Sequence, residues 1–512
     1  MKRTVISLLL ITILGFSFNS YAQEVLSQED ILKNVDQYIE KVQNEWKIPG
    51  MAVAIIKDNK VIHAKGFGLK DLSKPDNKVD PNTIFQIGSI SKSFTAAVMA
   101  QLVDQDLVKW EDTVKNILPD FEMYDPWVTA NMQVKDLMTH RTGLAGQSGT
   151  YIPNLGYDRD DIYHMLKYIK PVYSFRGDYQ YNNITFIIAA KIIEKLTGMS
   201  WEENVQQKIF DKLGMTSSSV DGEGFLASEN VALPYEFLDK DGGMVINPLY
   251  GDEQALWWLT VIGPAGAVNS SANDLIKWAQ FHLNMGKVGD EQIISEKNMK
   301  YLHKGITITS QNENRTTIYG HCWFIEQTKK GRLYFHTGTT WGMTAICCYF
   351  PELNLGMVIL VNSEAPSEPR YAIMRRTLDL FLGEPDKDYS QESLAEWYES
   401  SKKSAEKKEK KDAEIINIPA PKAKALVGKY TKEALFGDAW ITLEKGKLFI
   451  KAGKQGFKRE MVHVNGNKYN FRCDGHGFDI TFTLNESGKK ATSFEIDFGG
   501  GEDFGPWTRI SK

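Results

Sequence analysis

The chain has 512 residues, enough for about three domains or for one large catalytic domain with a smaller one attached. Its formal net charge of −5 is opposite to the basic balance that nucleic-acid binding requires, so we expect no nucleic-acid partner. The four cysteines are too few for a disulfide framework in a chain of this size, and we expect all of them to be core thiols: Cys322, Cys347, Cys348 and Cys473.

The first residues have the pattern of a secretory signal peptide. Lys2 and Arg3 precede an apolar run over residues 5–18, and small residues favour cleavage after Ala22. The alternative, a membrane anchor, is disfavoured because the run is shorter than the ~20 residues that a bilayer span needs. Residues 1–22 hold two basic and no acidic residues, so the formal charge of the mature chain is −7. We expect a secreted or periplasmic protein with no integral membrane segment after cleavage.

A helix, a hairpin and a second helix come next. Ser27 and Asp30 stand in capping-box spacing, and the pattern stays helical to residue 46. The stretch GMAVAIIKDNKVIHAKGFG, residues 50–68, predicts a strand, a DNK turn and another strand. The stretch QIGSISKSFTAAVMAQLV, residues 86–103, predicts a sharp entry followed by an apolar helix.

Ser89 and Lys92, at the start of that helix, form the first candidate catalytic pair. A serine followed three residues later by a lysine occurs four times, but the other three instances lie in a charged segment or a glycine turn, where nothing would desolvate them. Gly88 allows the sharp entry, and the spacing puts the amine one turn beyond the hydroxyl on the same face. The helix dipole and a desolvated amine would activate that hydroxyl. The structural alternative is N-capping by Ser89 or Ser91 with an exposed lysine.

The second motif lies in a region, residues 136–286, that is mostly helices and long loops. Tyr181 and Asn183 form the only tyrosine-x-asparagine triplet in the chain, at the entrance to a helix. A phenol can relay a proton to a leaving group, and an amide two residues away can hold a substrate carbonyl.

Strand patterns return over residues 319–362 and are followed by a helix at 369–383. Strands at both ends with helices between them predict one antiparallel sheet flanked by helices. That arrangement belongs to the α+β class.

The third motif, HTGTTWG, ends one of these strands. His336, Thr337 and Gly338 form the only triplet of lysine or histidine, threonine or serine, and glycine. The glycine lets another backbone come close, and the N–H of Thr339 would pair with that of Ser89 as an oxyanion hole. A lone histidine at a strand end is more often structural, but three unique motifs in this order are much harder to attribute to chance.

The three motifs resemble those of the penicillin-recognising serine hydrolases, in the branch that holds class C β-lactamases, DD-carboxypeptidases, D-aminopeptidases and related esterases. The resemblance runs from about residue 32 to 382 and includes three further segments: MTHRTGL at 138–144, GPAGAVNSSANDLIKWAQF at 263–281 and PELNLGMVILVN at 351–362. It implies a β-lactamase/transpeptidase-like fold and hydrolysis without a cofactor or metal.

The resemblance also implies roles for the catalytic residues. Ser89 would be the acylated nucleophile and Lys92 its partner in proton transfer. Tyr181 would protonate the leaving group and later activate water. The family pattern leaves open whether Lys92 or Tyr181 first deprotonates the serine.

The remaining motif residues would bind substrate. Asn183 would orient the substrate carbonyl, and His336 and Thr337 would contact its far end. Gly338 would allow the close approach of the strand, and Thr339 would supply one oxyanion N–H. Where β-lactamases of this branch carry lysine, this chain has His336, and an imidazole attracts a carboxylate less firmly than an ammonium does.

A charged, apolar-poor segment, SSKKSAEKKEKKDAE at 400–414, follows and predicts a solvated helical spacer. Beyond it, short alternating strands and hairpin signals predict a closed antiparallel barrel that resembles the lipocalin-like domains of some related peptidases. Such a barrel would border the active-site cleft or serve only as a stabilising module. The predicted division of the chain is signal peptide 1–22, serine hydrolase domain 23–398, linker 399–423 and barrel 424–512.

The leading hypothesis is a secreted serine hydrolase that acts on small amides or peptides, either containing D residues or derived from cell walls. The first alternative is a carboxylesterase on small esters, and the second is a penicillin-binding sensor or scaffold without turnover. Trp257, Trp258 and Trp341 would line an acyl pocket or lie in the core, the commoner place for tryptophan. The oligomeric state is open.

Overall fold

A computed structural model describes most of the chain after residue 25. The described residues are 26–237, 244–247, 250–313, 315–328, 330–363, 368–413, 416–432, 437–473, 476–500 and 504–510. The predicted signal peptide, residues 1–22, therefore lies outside the described residues.

Eight antiparallel strands form the central sheet, and they come from distant parts of the chain, as predicted. They are β1 Gly50–Lys57, β2 Lys60–Gly68, β3 Thr307–Gln311, β4 Thr316–Tyr319, β5 Phe324–Thr328, β6 Gly331–Thr340, β7 Met343–Phe350 and β8 Leu355–Val361. Their order across the sheet is β2-β1-β8-β7-β6-β5-β4-β3. In the central register Val53 pairs with Ile359 and His336 with Cys347.

Strand β1 lies between two other strands of the sheet and is apolar on both faces. Val53 and Ile55 pack into one hydrophobic cluster, and Ala52 and Ala54 pack into the other. Because successive side chains of a strand point to opposite faces, an unbroken apolar run is buried on both sides. The predicted α+β class with helices flanking an antiparallel sheet is confirmed.

In the described part of the chain, seven longer helices cover the sheet or connect it to the C-terminal region: α1 Gln28–Glu45, α2 Ser91–Asp104, α3 Thr185–Thr197, α4 Glu253–Gly266, α5 Ala272–Leu283, α6 Glu368–Leu382 and α7 Tyr389–Ala413. Apolar residues of α1 and α6 cover one face. Helices α2 and α5 belong to the cluster on the other face. Almost every residue of α2 is buried, which fixes the position of its first turn.

Short elements complete the first domain. The short helices are Val114–Ile117, Pro126–Asn131, Arg159–Met165, Trp201–Val205, Asp211–Leu213, Gly222–Ala227 and Glu296–Leu302, with a π-helical turn at Gln206–Phe210. The 3-10 turns are Gly88–Ile90, Val134–Met138, Ile152–Leu155, Leu166–Tyr168 and Pro351–Leu353. Three two-stranded ribbons pair Ile84–Gln86 with Asn269–Ser271, Tyr235–Phe237 with Met244–Ile246, and Lys287–Val288 with Glu291–Gln292.

The C-terminal region is a closed antiparallel barrel of eight strands, as predicted. After a short helix, Ala423–Leu426, its strands are β9 Gly428–Lys432, β10 Gly437–Glu444, β11 Lys447–Lys451, β12 Lys458–Asn465, β13 Lys468–Cys473, β14 His476–Leu484, β15 Ala491–Asp497 and β16 Trp507–Arg509. Each strand pairs with the next, and β9 pairs with β16 to close the barrel. Tyr430, Phe482, Phe494 and Trp507 are among the buried aromatic side chains of the barrel.

Helix α7 runs without a break across residue 398, the predicted end of the hydrolase domain, and into the predicted linker. The helix therefore marks no boundary there, and the domain limits stay predictions. Residues 399–407 of this helix are rich in lysine and glutamate and are exposed except at position 405, in keeping with a solvated spacer. Among the residues that the structure describes, no helix combines the length and apolarity needed to cross a bilayer.

Candidate active site

Ser89 lies in a tight turn immediately before α2. The 3-10 turn Gly88–Ile90 leads into the helix, which begins at Ser91. The Ser91 hydroxyl donates to the Gly88 carbonyl at 2.6 Å and accepts from the backbone N–H of Val268 at 3.0 Å. No side chain caps α2, so the capping alternative does not describe this turn.

Lys92 is fully buried one turn beyond Ser89. Its Nζ lies 3.0 Å from the Ser89 Oγ and donates to the Ala265 carbonyl at 2.9 Å. Burial lowers the pKa of Lys92 from 10.5 to about 7, because an ammonium ion loses hydration in the interior. An amine with that pKa is largely neutral at slightly alkaline pH and has a lone pair to accept a proton.

Tyr181 comes from the loop before α3 and reaches the same two side chains. Its hydroxyl is close enough to the Ser89 side chain for that side chain to lower its pKa slightly, and the Lys92 Nζ lies 4.7 Å from the centre of its ring. Burial raises the pKa of Tyr181 because the phenolate would lose its hydration, so the neutral phenol predominates. The hydroxyl, amine and phenol therefore meet at one point.

Asn183 lies at the edge of this cluster. Its side-chain amide donates to the Gln147 Oε1 at 3.0 Å and to the Thr150 Oγ1 at 3.3 Å. These two contacts hold the amide, and its oxygen is left for other partners. Gln147 and Thr150 belong to no motif, so the sequence does not predict that their loop lies at the site.

His336 lies in β6 beside the catalytic cluster and is locked by two hydrogen bonds. Its Nδ1 lies 2.7 Å from the Thr337 carbonyl, so that nitrogen carries the proton, and its Nε2 accepts from the Tyr319 hydroxyl at 3.3 Å. Burial, with the nearby charge of Lys92 as a smaller cause, lowers the pKa of His336 to about 3. The imidazole is uncharged at neutral pH.

Strand β6 passes very close to the turn that carries the nucleophile. A Cβ on Gly338 would lie 1.7 Å from the Ile87 carbonyl oxygen and 2.9 Å from the Ser89 nitrogen. A Cβ on Gly88, which has a φ of +51°, would lie 2.6 Å from the Thr339 nitrogen. Only glycine fits at both crossings, and their contact brings the backbone of Ser89 beside that of Thr339. Two such neighbouring N–H groups are the arrangement that an oxyanion hole requires.

A cavity of about 400 Å³ opens over these residues. Its walls include Ser89, Tyr181, Asn183, His336, Thr337 and Thr339, so six of the eight predicted site residues face one space. Lys92 lies beneath it against Ser89, and Gly338 supports the wall from β6. The structure thus brings together all the predicted residues.

Aromatic side chains form the rest of the wall. Trp258 and Trp341 lie with ring centres 4.8 Å apart, and Tyr151 and Phe324 also line the cavity. The Trp258 indole N–H donates to the Thr150 carbonyl at 2.8 Å. Of the three tryptophans considered from the sequence, two line the pocket, although core placement is commoner. Trp257 is partly buried and packs against the core.

His140 supports the site from behind. It belongs to the MTHRTGL segment, where no role was assigned to it, and its ring centre lies 4.2 Å from that of Tyr181. Its Nδ1 accepts from the backbone N–H of Asn182 at 3.1 Å, and burial holds its pKa well below the ordinary value. A neutral imidazole therefore packs on the catalytic phenol.

The barrel touches the loop that forms one wall of the cavity. The Ser148 hydroxyl donates to the Gly500 carbonyl, and the rings of Tyr151 and Phe478 lie 5.9 Å apart. Lys454 of the barrel lies 2.9 Å from a carboxylate oxygen of Asp158. Within the described parts of the chain, no group of three or more histidine, cysteine, aspartate or glutamate side chains is arranged to hold a metal ion.

The beta-lactamase family profile matches residues 35–380, about two thirds of the sequence. The chain belongs to the beta-lactamase family. This family assignment agrees with the cluster of hydroxyl, amine and phenol around Ser89.

Named relatives of this beta-lactamase family chain include hydrolases. The chain is 28% identical over 419 residues to unguisins hydrolase ungD' of Aspergillus campestris, covering 77% of this chain and 74% of that protein. It is 32% identical over 248 residues to unguisins hydrolase ungD of Aspergillus violaceofuscus, covering 47% of this chain and 43% of that protein. It is 24% identical to protein flp of Staphylococcus aureus over 67% of this chain and 65% of that protein.

Solved structures share the fold across both domains. The octameric penicillin-binding protein homologue of Pyrococcus abyssi superposes with a TM-score of 0.61 at 22% identity, covering 91% of this chain and 98% of that one. A structure of SurE with D-Leu gives a TM-score of 0.56 at 16% identity, covering 94% of this chain and 100% of that one.

Proposed function

We propose that the chain is a secreted serine hydrolase that forms an acyl-enzyme on Ser89. Its substrates are small amides or peptides, either containing D residues or derived from cell walls. The observation that carries this proposal is the 3.0 Å contact between the Lys92 amine and the Ser89 hydroxyl, in a place where the amine is fully buried. The relatives named as hydrolases support the type of reaction.

Acylation begins when the Ser89 Oγ attacks the substrate carbonyl carbon. Neutral Lys92 takes the hydroxyl proton, because its pKa of about 7 leaves the amine free at neutral to alkaline pH. The negative oxygen that develops accepts hydrogen bonds from the backbone N–H groups of Ser89 and Thr339. The low pKa of Lys92 and the raised pKa of Tyr181 favour the amine as the first base.

The bond to the leaving group then breaks. The departing nitrogen or oxygen takes the proton of the Tyr181 hydroxyl, and Lys92 returns its own proton to the phenolate. For deacylation, water attacks the ester carbonyl and gives up one proton to the same pair, while the Ser89 oxygen regains a proton as the C–O bond breaks. The products are a carboxylic acid and an amine or alcohol.

Labelling and turnover test this proposal together. The mature protein should react with a fluorophosphonate probe at Ser89, and Ser89→Ala should abolish both labelling and hydrolysis of D-amino-acid amides. Ser401→Ala, on the exposed surface of α7, serves as the matched control and should change neither. Labelling that survives Ser89→Ala would refute the nucleophile. Labelling without turnover of amides, esters or nitrocefin would favour the sensor.

A carboxylesterase is the second candidate. The aromatic wall built by Trp258 and Trp341 favours it, because apolar acyl groups of simple esters need no charged partner. Short-chain p-nitrophenyl esters separate the two candidates, since hydrolysis of esters with no hydrolysis of amides by the same preparation would select the esterase.

A further inference from the structure

The wall of the catalytic cavity carries no charged side chain among the described residues that line it. Its polar groups are neutral hydroxyls and amides, such as those of Gln147, Thr150 and Thr340. Thr340 lines the cavity as well, and its Oγ1 is buried without a hydrogen-bond partner among the described residues. A substrate in this cavity therefore meets hydrogen-bonding groups without formal charge.

The position expected to hold a substrate carboxylate is also uncharged. His336 uses its Nδ1 on the Thr337 carbonyl and its Nε2 on the Tyr319 hydroxyl, so neither nitrogen offers a free N–H to the cavity. With its pKa lowered to about 3, mainly by burial, the ring gains no charge at any pH at which the enzyme would work.

Among the described residues, two buried basic side chains lie near the cavity, and both have other partners. Lys92 contacts the Ser89 hydroxyl and the Ala265 carbonyl. Arg370 is buried and donates to the Gly338 carbonyl at 2.6 Å, which directs that nitrogen at the β6 backbone. Neither side chain is part of the cavity wall.

Apolar side chains form much of the remaining wall of the cavity. The paired rings of Trp258 and Trp341, together with Tyr151, Phe324 and Ile262, offer a large apolar contact area. Burying a substrate group there is favourable in proportion to its apolar area. A carboxylate at the same place would lose hydration and gain no opposite charge, which is costly.

We infer that this site selects substrates that carry no carboxylate next to the scissile bond and that carry a large apolar group. The fitting substrates are peptides and depsipeptides cleaved at an internal bond or next to a blocked C-terminus, and peptides that end in a free carboxylate at the leaving residue are disfavoured. This inference rests on the proposed function of Ser89 and names the substrate class of the same site.

A matched pair of substrates tests the charge preference on the unmodified enzyme. The pair is N-acetyl-D-phenylalanyl-D-lactate as the free acid and as its methylamide, whose ester bond is open to amidases and esterases alike. We expect kcat/KM to be higher for the methylamide by about tenfold or more, the cost of an unpaired buried charge. Equal values, or a preference for the free acid, would overturn the inference while leaving the nucleophile intact.

A second pair tests the apolar wall. Replacing D-phenylalanyl with D-alanyl in the methylamide should lower kcat/KM by about tenfold, because most of the buried apolar area is lost. An unchanged or higher kcat/KM for the smaller substrate would contradict the role of the aromatic wall. Fluorophosphonate labelling of Ser89, run in parallel, separates these outcomes from failure of the proposed function, since an enzyme that is not labelled has no active nucleophile to select substrates.

Two nearly isosteric variants test the electrostatic cause. The Thr339 side chain is exposed and lines the cavity, and Thr339→Lys adds a cation there while Thr339→Met adds only bulk. We expect the lysine variant to favour the free acid over the methylamide about fivefold more than the methionine variant does. The same ratio in both variants would show that charge does not set the preference. Should either variant fail to fold, the substrate pairs still decide the question.

Discussion

The Ser148 hydroxyl of the hydrolase domain donates a hydrogen bond of 2.8 Å to the Gly500 carbonyl in the barrel. The carbonyl of Ser148 in turn accepts from the Asn182 side chain at 3.1 Å, and the preceding Gln147 accepts from Asn183. The barrel therefore contacts a loop that holds the side chain of Asn183, a residue predicted to bind substrate. If the barrel positions the active site rather than only stabilising the chain, removing this contact should change substrate binding.

Ser148→Ala should weaken substrate binding. Loss of one buried hydrogen bond of about 1 kcal/mol predicts a KM increase of about fivefold, with kcat changed less than twofold. Steady-state kinetics on a p-nitrophenyl ester measure KM and kcat separately. The control is Ser401→Ala, at an exposed position. A lowered melting temperature with an unchanged KM would show that the contact only docks the barrel.

The ion pairs of Lys454 should contribute only a little to the free energy of unfolding. Its Nζ lies 2.9 Å from Asp158 and 2.8 Å from Asp161, and pairing with these carboxylates raises the pKa of Lys454. Because the lysine is about half exposed, Lys454→Met should lower the free energy of unfolding by at most about 1 kcal/mol. Calorimetry at low and high salt checks this, since screening should reduce the difference. The matched control is Lys447→Met, which breaks an exposed ion pair with Glu460 between two strands of the barrel.

Acylation should become faster as the pH rises through about 7. Burial lowers the pKa of Lys92 to about 7, and only the neutral amine accepts the Ser89 proton, so the protonated form below that pH is inactive. His336, with a pKa of about 3, and Tyr181, with a raised pKa, hold one protonation state across this range. The rate constant of fluorophosphonate labelling between pH 5.5 and 8.5 measures the effect. A rate that stays flat over this interval would argue against Lys92 as the base.

Gly338→Ala should damage the oxyanion hole. The new methyl group would meet the Ile87 carbonyl at 1.7 Å, so β6 has to move away from the turn of Ser89. Separating the two N–H donors predicts a loss in kcat of about 10²–10³-fold. Gly146→Ala is the matched control, because a Cβ there meets no atom closer than 3.5 Å. Retention of kcat in Gly338→Ala would contradict the oxyanion geometry.

Local patterns were sufficient to predict the elements that carry the site. The two strand-like stretches around the DNK turn in residues 50–68 predicted the hairpin β1–β2, and the apolar run after Ser89 predicted α2. The convergence of Ser89, Tyr181 and His336 required the resemblance to a known family, because no local pattern brings segments so far apart in sequence together.

The wall of the cavity was not predictable in the same way. Gln147 and Thr150 lie in an irregular loop, and its course depends on contacts with Asn183 and with the barrel residue Gly500. Likewise, the orientation of Trp258 depends on a hydrogen bond to the Thr150 carbonyl, which periodicity does not reveal. Tertiary contacts, rather than propensities, set these positions.

Lys92→Met should stabilise the fold while abolishing activity. The folded pKa of about 7 lies below the ordinary 10.5, so unfolding takes up a proton at neutral pH and the lysine destabilises the folded state. An apolar side chain of similar length removes that cost, and we expect the melting temperature at pH 7 to rise by about 2–8 °C. The gain should shrink between pH 7 and 10, where the amine becomes neutral in the unfolded chain as well. Lys60→Met, at an exposed turn, is the control, and an equal gain in both variants would refute the buried-amine explanation.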